Sequence, residues 1–143
     1  MRFSGKIYKD GKFWLAKIPI LDLMTQGHTK KEAFEMVADM LESLVNKKDF
    51  KVKIFIKSKD SFEVGSLQSK YLISLLLQRK RENSGLSISQ VAKRLGVASR
   101  STYARYEQGK SVPTVEKFNE LIHALCPNIN IVIEESAISL YLC

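Results

Sequence analysis

Hydrophobic and polar positions alternate with a period of two at the start of the chain and turn to helical spacing further on. Phe3, Gly5 and Ile7 are separated by polar residues, the spacing of a strand with one buried face. Lys9-Asp10-Gly11-Lys12 follows, and its Asp-Gly pair suits a tight hairpin because Gly tolerates positive φ. A second strand is predicted over 13–18, with Trp14, Ala16 and Ile18 on one side and Pro19 at its end; a short third covers about 23–26. Thr29-Lys30-Lys31-Glu32 reads as a capping box, in which the Thr and Glu side chains serve backbone N–H groups that a helix start leaves free. The helix it opens carries Ala33, Val37, Met40, Leu41 and Leu44 on one face. On the other face Glu32, Glu35, Asp39 and Glu42 recur at steps of three, four and three, which aligns them as an acidic stripe. Residues 51–57 alternate again, with Val52, Ile54 and Ile56 inward, so residues 1–65 predict βββαβ.

From about Leu67 the periodicity is helical. A helix over 67–81 is stopped by Asn83-Ser84-Gly85, and Ser87-Ile88-Ser89-Gln90 is a second capping box that starts a short helix through Leu95. Gly96 breaks it, Ser99 caps a third helix through about Gln108, and Gly109 ends that one. Thr114 caps a fourth, with Val115, Phe118, Leu121, Ile122 and Leu125 as its apolar face and Pro127 beyond it. Strand character returns at Ile129, Ile131 and Ile133. The predicted fold class is α+β: a sheet domain over 1–65, an all-α domain over 66–126, and a C-terminal strand and tail over 127–143.

A length of 143 residues allows one ordinary domain or two small ones and excludes a large multidomain enzyme. The 45% hydrophobic content is that of a folding chain. No apolar run approaches the roughly 18 residues of a membrane span; residues 72–77 run directly into Gln78, Arg79, Lys80 and Arg81. Lys6, Lys9, Asp10 and Lys12 interrupt any apolar signal segment, so the expected location is the cytoplasm and no membrane partner is expected. Cys126 and Cys143 stand alone, and His28 and His123 have no partner motif, so neither a metal nor a cofactor is implied. The formal charge of +8 is unevenly placed. Residues 1–65 hold 13 basic and 9 acidic side chains, whereas 79–110 hold eight basic and two acidic.

Two short helices joined by a Gly-containing turn match the DNA-binding helix-turn-helix, whose second helix enters the major groove. Gly85-Leu86-Ser87 precedes the first, Val91-Ala92-Lys93-Arg94-Leu95-Gly96 places a small Ala at the helix crossing, and Ser99 caps the second, which Glu107-Gln108-Gly109-Lys110 closes. On these residues, 70–126 resembles the Xre/Cro-type repressor domain, with a Gly96-Val97-Ala98-Ser99 turn one residue longer than usual. The resemblance implies base readers at the start of the third helix: Arg100 as a fork for guanine, Ser101 and Thr102 for base edges or phosphate, and Arg105 one turn on. Ser99 belongs to the same interface, while Gln90, Lys93 and Lys110 suit phosphates, which fix register without reading sequence. Tyr103 and Tyr106 fall at inward positions, and Glu107 is expected to pair with a basic residue of the first helix, Arg81.

The first half is similar to a second family. Ile18-Pro19-Ile20, followed by Thr25-Gln26-Gly27-His28-Thr29-Lys30-Lys31-Glu32-Ala33 and an amphipathic helix, resembles the HicB antitoxin domain, a small partial RNase H-like fold, over about residues 3–65. An Xre-type domain continuing into Thr114-Val115-Glu116-Lys117-Phe118 is an arrangement found within that family. The resemblance implies an antitoxin that sequesters a HicA-like mRNA-cleaving toxin and represses its own operon at operator DNA, as a homodimer or higher oligomer. The stripe Glu32, Glu35, Asp39 and Glu42 is then either a solvated helix face or the surface that meets the basic toxin. Strand 129–134 has no evident partner in a helical domain and is expected to pair with its copy in a second subunit; the apolar Ile138-Ser139-Leu140-Tyr141-Leu142 is a further candidate for that contact.

RNase H chemistry needs carboxylates clustered around two divalent ions. Residues 2–8 and 12–18 contain no acid, Asp10 lies in the hairpin turn and Asp22 in a loop, so the protein is not expected to be an enzyme. A stand-alone Xre-type regulator with a ligand- or protein-sensing first domain is the alternative. An RNA-binding sheet would need more aromatic platforms than Phe13, Trp14 and Phe55.

Overall fold

The computed structural model describes residues 1–97 and 99–137. The first strands are β1 (Arg2–Asp10) and β2 (Phe13–Ile18), joined by a two-residue turn in which Gly11 takes φ 59°. A 3₁₀ turn, Pro19–Leu21, leads to β3 (Leu23–Gly27) and α1 (Lys30–Val45), and β4 (Lys53–Ile56) and β5 (Ser61–Gly65) follow. The five strands form one sheet in the order β3-β2-β1-β5-β4, each antiparallel to its neighbours. Four helices complete the fold: α2 (Ser69–Asn83), α3 (Ile88–Leu95), α4 (Arg100–Glu107) and α5 (Val115–Leu125).

The α+β class holds, and two of its parts differ from expectation. The expected βββαβ lacks one strand, since β4 turns back at residues 57–60 and β5 takes the place beside β1. The Ser58 hydroxyl bonds the Asp60 carboxylate at 2.8 Å and the Ser61 hydroxyl at 2.7 Å, which holds that turn. Only Phe62 and Val64 mark β5 as half-buried, an alternation too short to stand out between Ser61 and Gly65. The expected C-terminal strand is the second difference, because residues 129–137 form no ladder within the single chain. Both β1 and β5 already have neighbours on either side, so the segment meets no free edge there, and at Ser136 and Ala137 it is held by the side chains of Arg2, Lys57 and Glu63. Residues 138–142 lie outside the described residues.

Alternation puts Phe3 and Ile7 of β1, Ala16 and Ile18 of β2, and Phe62 and Val64 of β5 on one sheet face, buried against Ala33, Val37 and Leu41 of α1. Met40 is only half-buried and Leu44 is 43% exposed, so the helix turns a narrower stripe inward than its sequence suggests. A second core contains Leu77, Val91, Tyr103, Leu121, Ile122 and Leu125. The two cores share α2, whose Leu72, Leu75 and Leu76 belong to the sheet core while Leu77 belongs to the helical one. Arg79 adds a polar tie across this joint: its Nε donates to the Leu21 carbonyl and its Nη2 to that of Asp22, both at 3.0 Å.

Candidate nucleic-acid interface

The Ser87 and Gln90 side chains each serve the other's backbone N–H, with the Ser87 N–H donating to Gln90 Oε1 at 2.7 Å and the Gln90 N–H to Ser87 Oγ at 3.1 Å. This is the reciprocal cap expected for α3. Gly96 ends the helix at φ 72°, a left-handed conformation that costs other residues energy, and the Val97 N–H closes onto the Ala92 carbonyl at 3.1 Å. Four positions, 96–99, separate α3 from α4. Ser99 then accepts from the Ser101 N–H at 3.2 Å and caps α4.

The orientation of α4 is set from beneath. Tyr103 is fully buried and Tyr106 packs against the same core. Glu107 pairs with Arg81 of α2 as a two-point fork: Nε donates to Oε2 at 2.7 Å and Nη2 to Oε1 at 2.9 Å. Arg81 Nη1 donates to the Leu86 carbonyl at 3.0 Å, so one guanidinium links α2, the α3 entry and the end of α4. The bond to Glu107 holds the guanidinium pKa above its ordinary value, against the opposing effect of burial. Burial pushes the Tyr103 phenol far up, with the Glu107 charge adding to it, so the ring stays neutral. Its hydroxyl has no hydrogen-bond partner among the described residues. Ser74 of α2 adds a second tie at the same end of α4, donating to the Tyr106 carbonyl at 2.9 Å.

This scaffold leaves Ser99, Arg100, Ser101, Thr102 and Arg105 exposed along α4 and its cap. Ser101 and Arg105, four residues apart, share a face, with Thr102 beside them and Arg100 at the helix start. Arg105 Nε donates to Ser111 Oγ at 3.1 Å, which orients the fork while leaving its terminal nitrogens outward. Gln90 and Lys93 are exposed on α3, and Lys110 just beyond α4. Gln90 has a structural task through its Oε1, which leaves its amide N–H₂ for a phosphate. The sequence reading missed Arg94, which donates to the Ala124 carbonyl at 2.9 Å beside the Ser84 hydroxyl bond to Leu125. These bonds to backbone oxygens far along the chain leave no signal in local spacing.

The acidic stripe of α1 divides. The Glu32 N–H donates to Thr29 Oγ1 at 3.0 Å as the box expects, while the Glu32 carboxylate reaches back to the His28 N–H at 3.0 Å, one position before the expected Thr29 N–H. Gly27 is built into the same junction, because a Cβ there would stand 2.5 Å from the Ala33 nitrogen. Glu42 accepts from the Val52 N–H and from Lys51 Nζ, each at 3.2 Å. Glu35 and Asp39 remain exposed between these two engaged ends. Among the described residues no group of three or more His, Cys, Asp or Glu could hold a metal ion. Among them, too, no helix is long and apolar enough to cross a membrane.

A family model described as a helix-turn-helix domain matches residues 73–126, which takes in most of α2 and all of α3, α4 and α5. No curated protein matches the chain. The chain therefore carries a helix-turn-helix domain, the module with which regulators bind DNA, and this supports the Xre-type reading of that segment.

Proposed function

We propose that the protein is the antitoxin of a type II toxin–antitoxin pair, which holds a HicA-like mRNA-cleaving toxin with residues 1–65 and represses its own operon through α3 and α4. The observation that carries the DNA half is the exposed row Arg100, Ser101, Thr102 and Arg105 on a helix fixed from below by Tyr103 and the Arg81–Glu107 fork. Arg100 supplies a guanine-reading fork, Ser101 and Thr102 reach base edges or phosphate, and Gln90, Lys93 and Lys110 grip the backbone. Two copies read half-sites about one helical turn apart.

The toxin half rests on the HicB-like segment 25–33 and on the free carboxylates of Glu35 and Asp39, which suit a basic, RNA-binding partner. Much of that segment is explained by the junction it builds, with Gly27, Thr29 and Glu32 joining β3 to α1. The test is inhibition of RNA cleavage by a HicA-like toxin mixed with this protein, alongside operator binding by the same preparation. Reversing Glu35 and Asp39 to Lys is expected to weaken toxin binding about tenfold or more and leave DNA affinity unchanged. Toxin affinity unaltered in calorimetry removes the acidic surface. DNA binding with no inhibition of any such toxin favours instead a stand-alone regulator whose sheet half senses a ligand or protein.

A further inference from the structure

The segment after α5 is anchored at both ends and bare in the middle. Ile131 packs into the helical core. Further on, Ser136 Oγ donates to the Glu63 carboxylate and accepts from Lys57 Nζ at 3.1 Å, and the Ala137 carbonyl accepts from Arg2 at 3.3 Å. Between these anchors Val132 is 75% and Ile133 86% exposed. Val115 at the start of α5, 79% exposed, lines the same apolar groove of about 890 Å³ as Val132 and Ile133, with Phe3, Leu76 and Phe118 as its floor. Three bare β-branched side chains around one groove form a patch, unlike the scattered apolar exposures that any surface carries. The main chain is equally unengaged: after the Ile129 N–H bond to the Cys126 carbonyl at 3.1 Å, residues 130–137 make no backbone–backbone hydrogen bond among the described residues.

We propose that residues 129–137 join two copies of this chain, pairing antiparallel with each other about a two-fold axis at Val132. The occupant is a second copy because the sequence complements itself in that register. Antiparallel pairing about Val132 sets Ile131 opposite Ile133, Asn130 opposite Glu134 and Ile129 opposite Glu135. No carboxylate then faces another, whereas a shift that centres the axis at Glu134 or between Glu134 and Glu135 brings like charges together and is destabilising. Pairing supplies partners for the bare backbone and sets the exposed Ile133 of each chain against Ile131 of the other, which stays seated on the helical core. The proposal rests on the repressor reading only for its purpose, a two-fold pair of recognition helices; its geometry stands on the segment itself.

The experiment uses the full chain with Cys126→Ser and Cys143→Ser to remove other thiols, and then adds Val132→Cys or Asn130→Cys. Across an antiparallel pair the two Cα atoms of position 132 stand about 4.5–5.5 Å apart, within disulfide reach. Those of position 130 are offset by about 13 Å along the ribbon. Mild oxidation is expected to give a reducible dimer from Val132→Cys and none from Asn130→Cys. In the otherwise unaltered chain, Val132→Asp is expected to convert the dimer to monomer in sedimentation while leaving the thermal melt of the monomer fold in place. A monomeric parent chain, a Val132→Asp variant that stays dimeric, or equal cross-linking at both positions overturns the proposal. A dimer with the expected cross-link that binds no DNA upholds the interface and removes the repressor reading.

Discussion

The sheet half and the helical half put their charged residues to different uses. In the helical half one of the few acids, Glu107, is drawn beneath the surface and matched by a two-point guanidinium. In the sheet half the acids of α1 are matched at the ends of the stripe, by backbone N–H groups, and left open in the middle at Glu35 and Asp39. The count of basic residues is correspondingly a poor guide to usable charge. Of the eight in 79–110, Arg79 holds two carbonyls of the sheet half, Arg81 holds Glu107, Arg94 holds the end of α5, and Arg105 is steered by Ser111. Lys93, Arg100 and Lys110 are exposed and make no side-chain bond to another described residue, and they sit on or beside the two helices that face a groove in this module.

The sharpest way to break this contrast is to remove the matched charge. Arg81→Ala strands Glu107 with its side chain only 8% exposed and is expected to cost about 3–5 kcal/mol, measured from urea unfolding midpoints. A loss under about 1 kcal/mol shows that the fork contributes little. Leu76→Ala comes next, at about 2–5 kcal/mol. Because α2 serves both cores, the variant should still unfold in one transition by far-UV and near-UV signals; two separated transitions indicate that the halves are coupled only weakly. Arg100→Ala should leave stability unchanged and cost about 1–3 kcal/mol in operator affinity, relaxing specificity at one base position. A uniform loss over all sequences reassigns Arg100 to phosphate contact.

The smallest expected effect is a pH response at Glu63. Burial pushes this carboxyl up, but the Ser136 hydroxyl, Arg2 and Lys57 together outweigh it and hold the pKa below its ordinary value. A depressed folded-state pKa means that the stabilisation is complete above the ordinary glutamate range and is lost as pH falls below about 4. Amide exchange in residues 130–137 should therefore speed up in acid, and Glu63→Gln should abolish that dependence. Exchange insensitive to pH after correction for intrinsic rates argues against the anchor.

Much of the helical half is legible in sequence because its signals are local. The Ser87–Gln90 box, the Gly96 stop and the Ser99 and Thr114 caps lie within four residues of what they serve. The Arg81–Glu107 pair is reached through the resemblance to the Xre-type domain, which implies that the acid closing this helix pairs with a basic residue of the first one, and not through local spacing. Signals failed where the partner is distant or is backbone. Strand β5 is identified by its place between β1 and β4, which its own five residues do not announce. Arg79 reads as one more cation in a basic run, yet it bonds to carbonyls 57 and 58 positions away. The acidic stripe is correct as a periodicity, but spacing does not reveal that Glu42 lies within reach of the Val52 N–H.

The shared helix has one further consequence. A flexible tether would let the sheet half sample a volume around bound DNA, with an effective concentration set by tether length. Here α2 begins four residues after β5 and buries leucines in both halves, so no long tether separates them. Any partner of the sheet half would then be held at a bearing and distance from a duplex under α3 and α4 that the fold determines and no linker length adjusts.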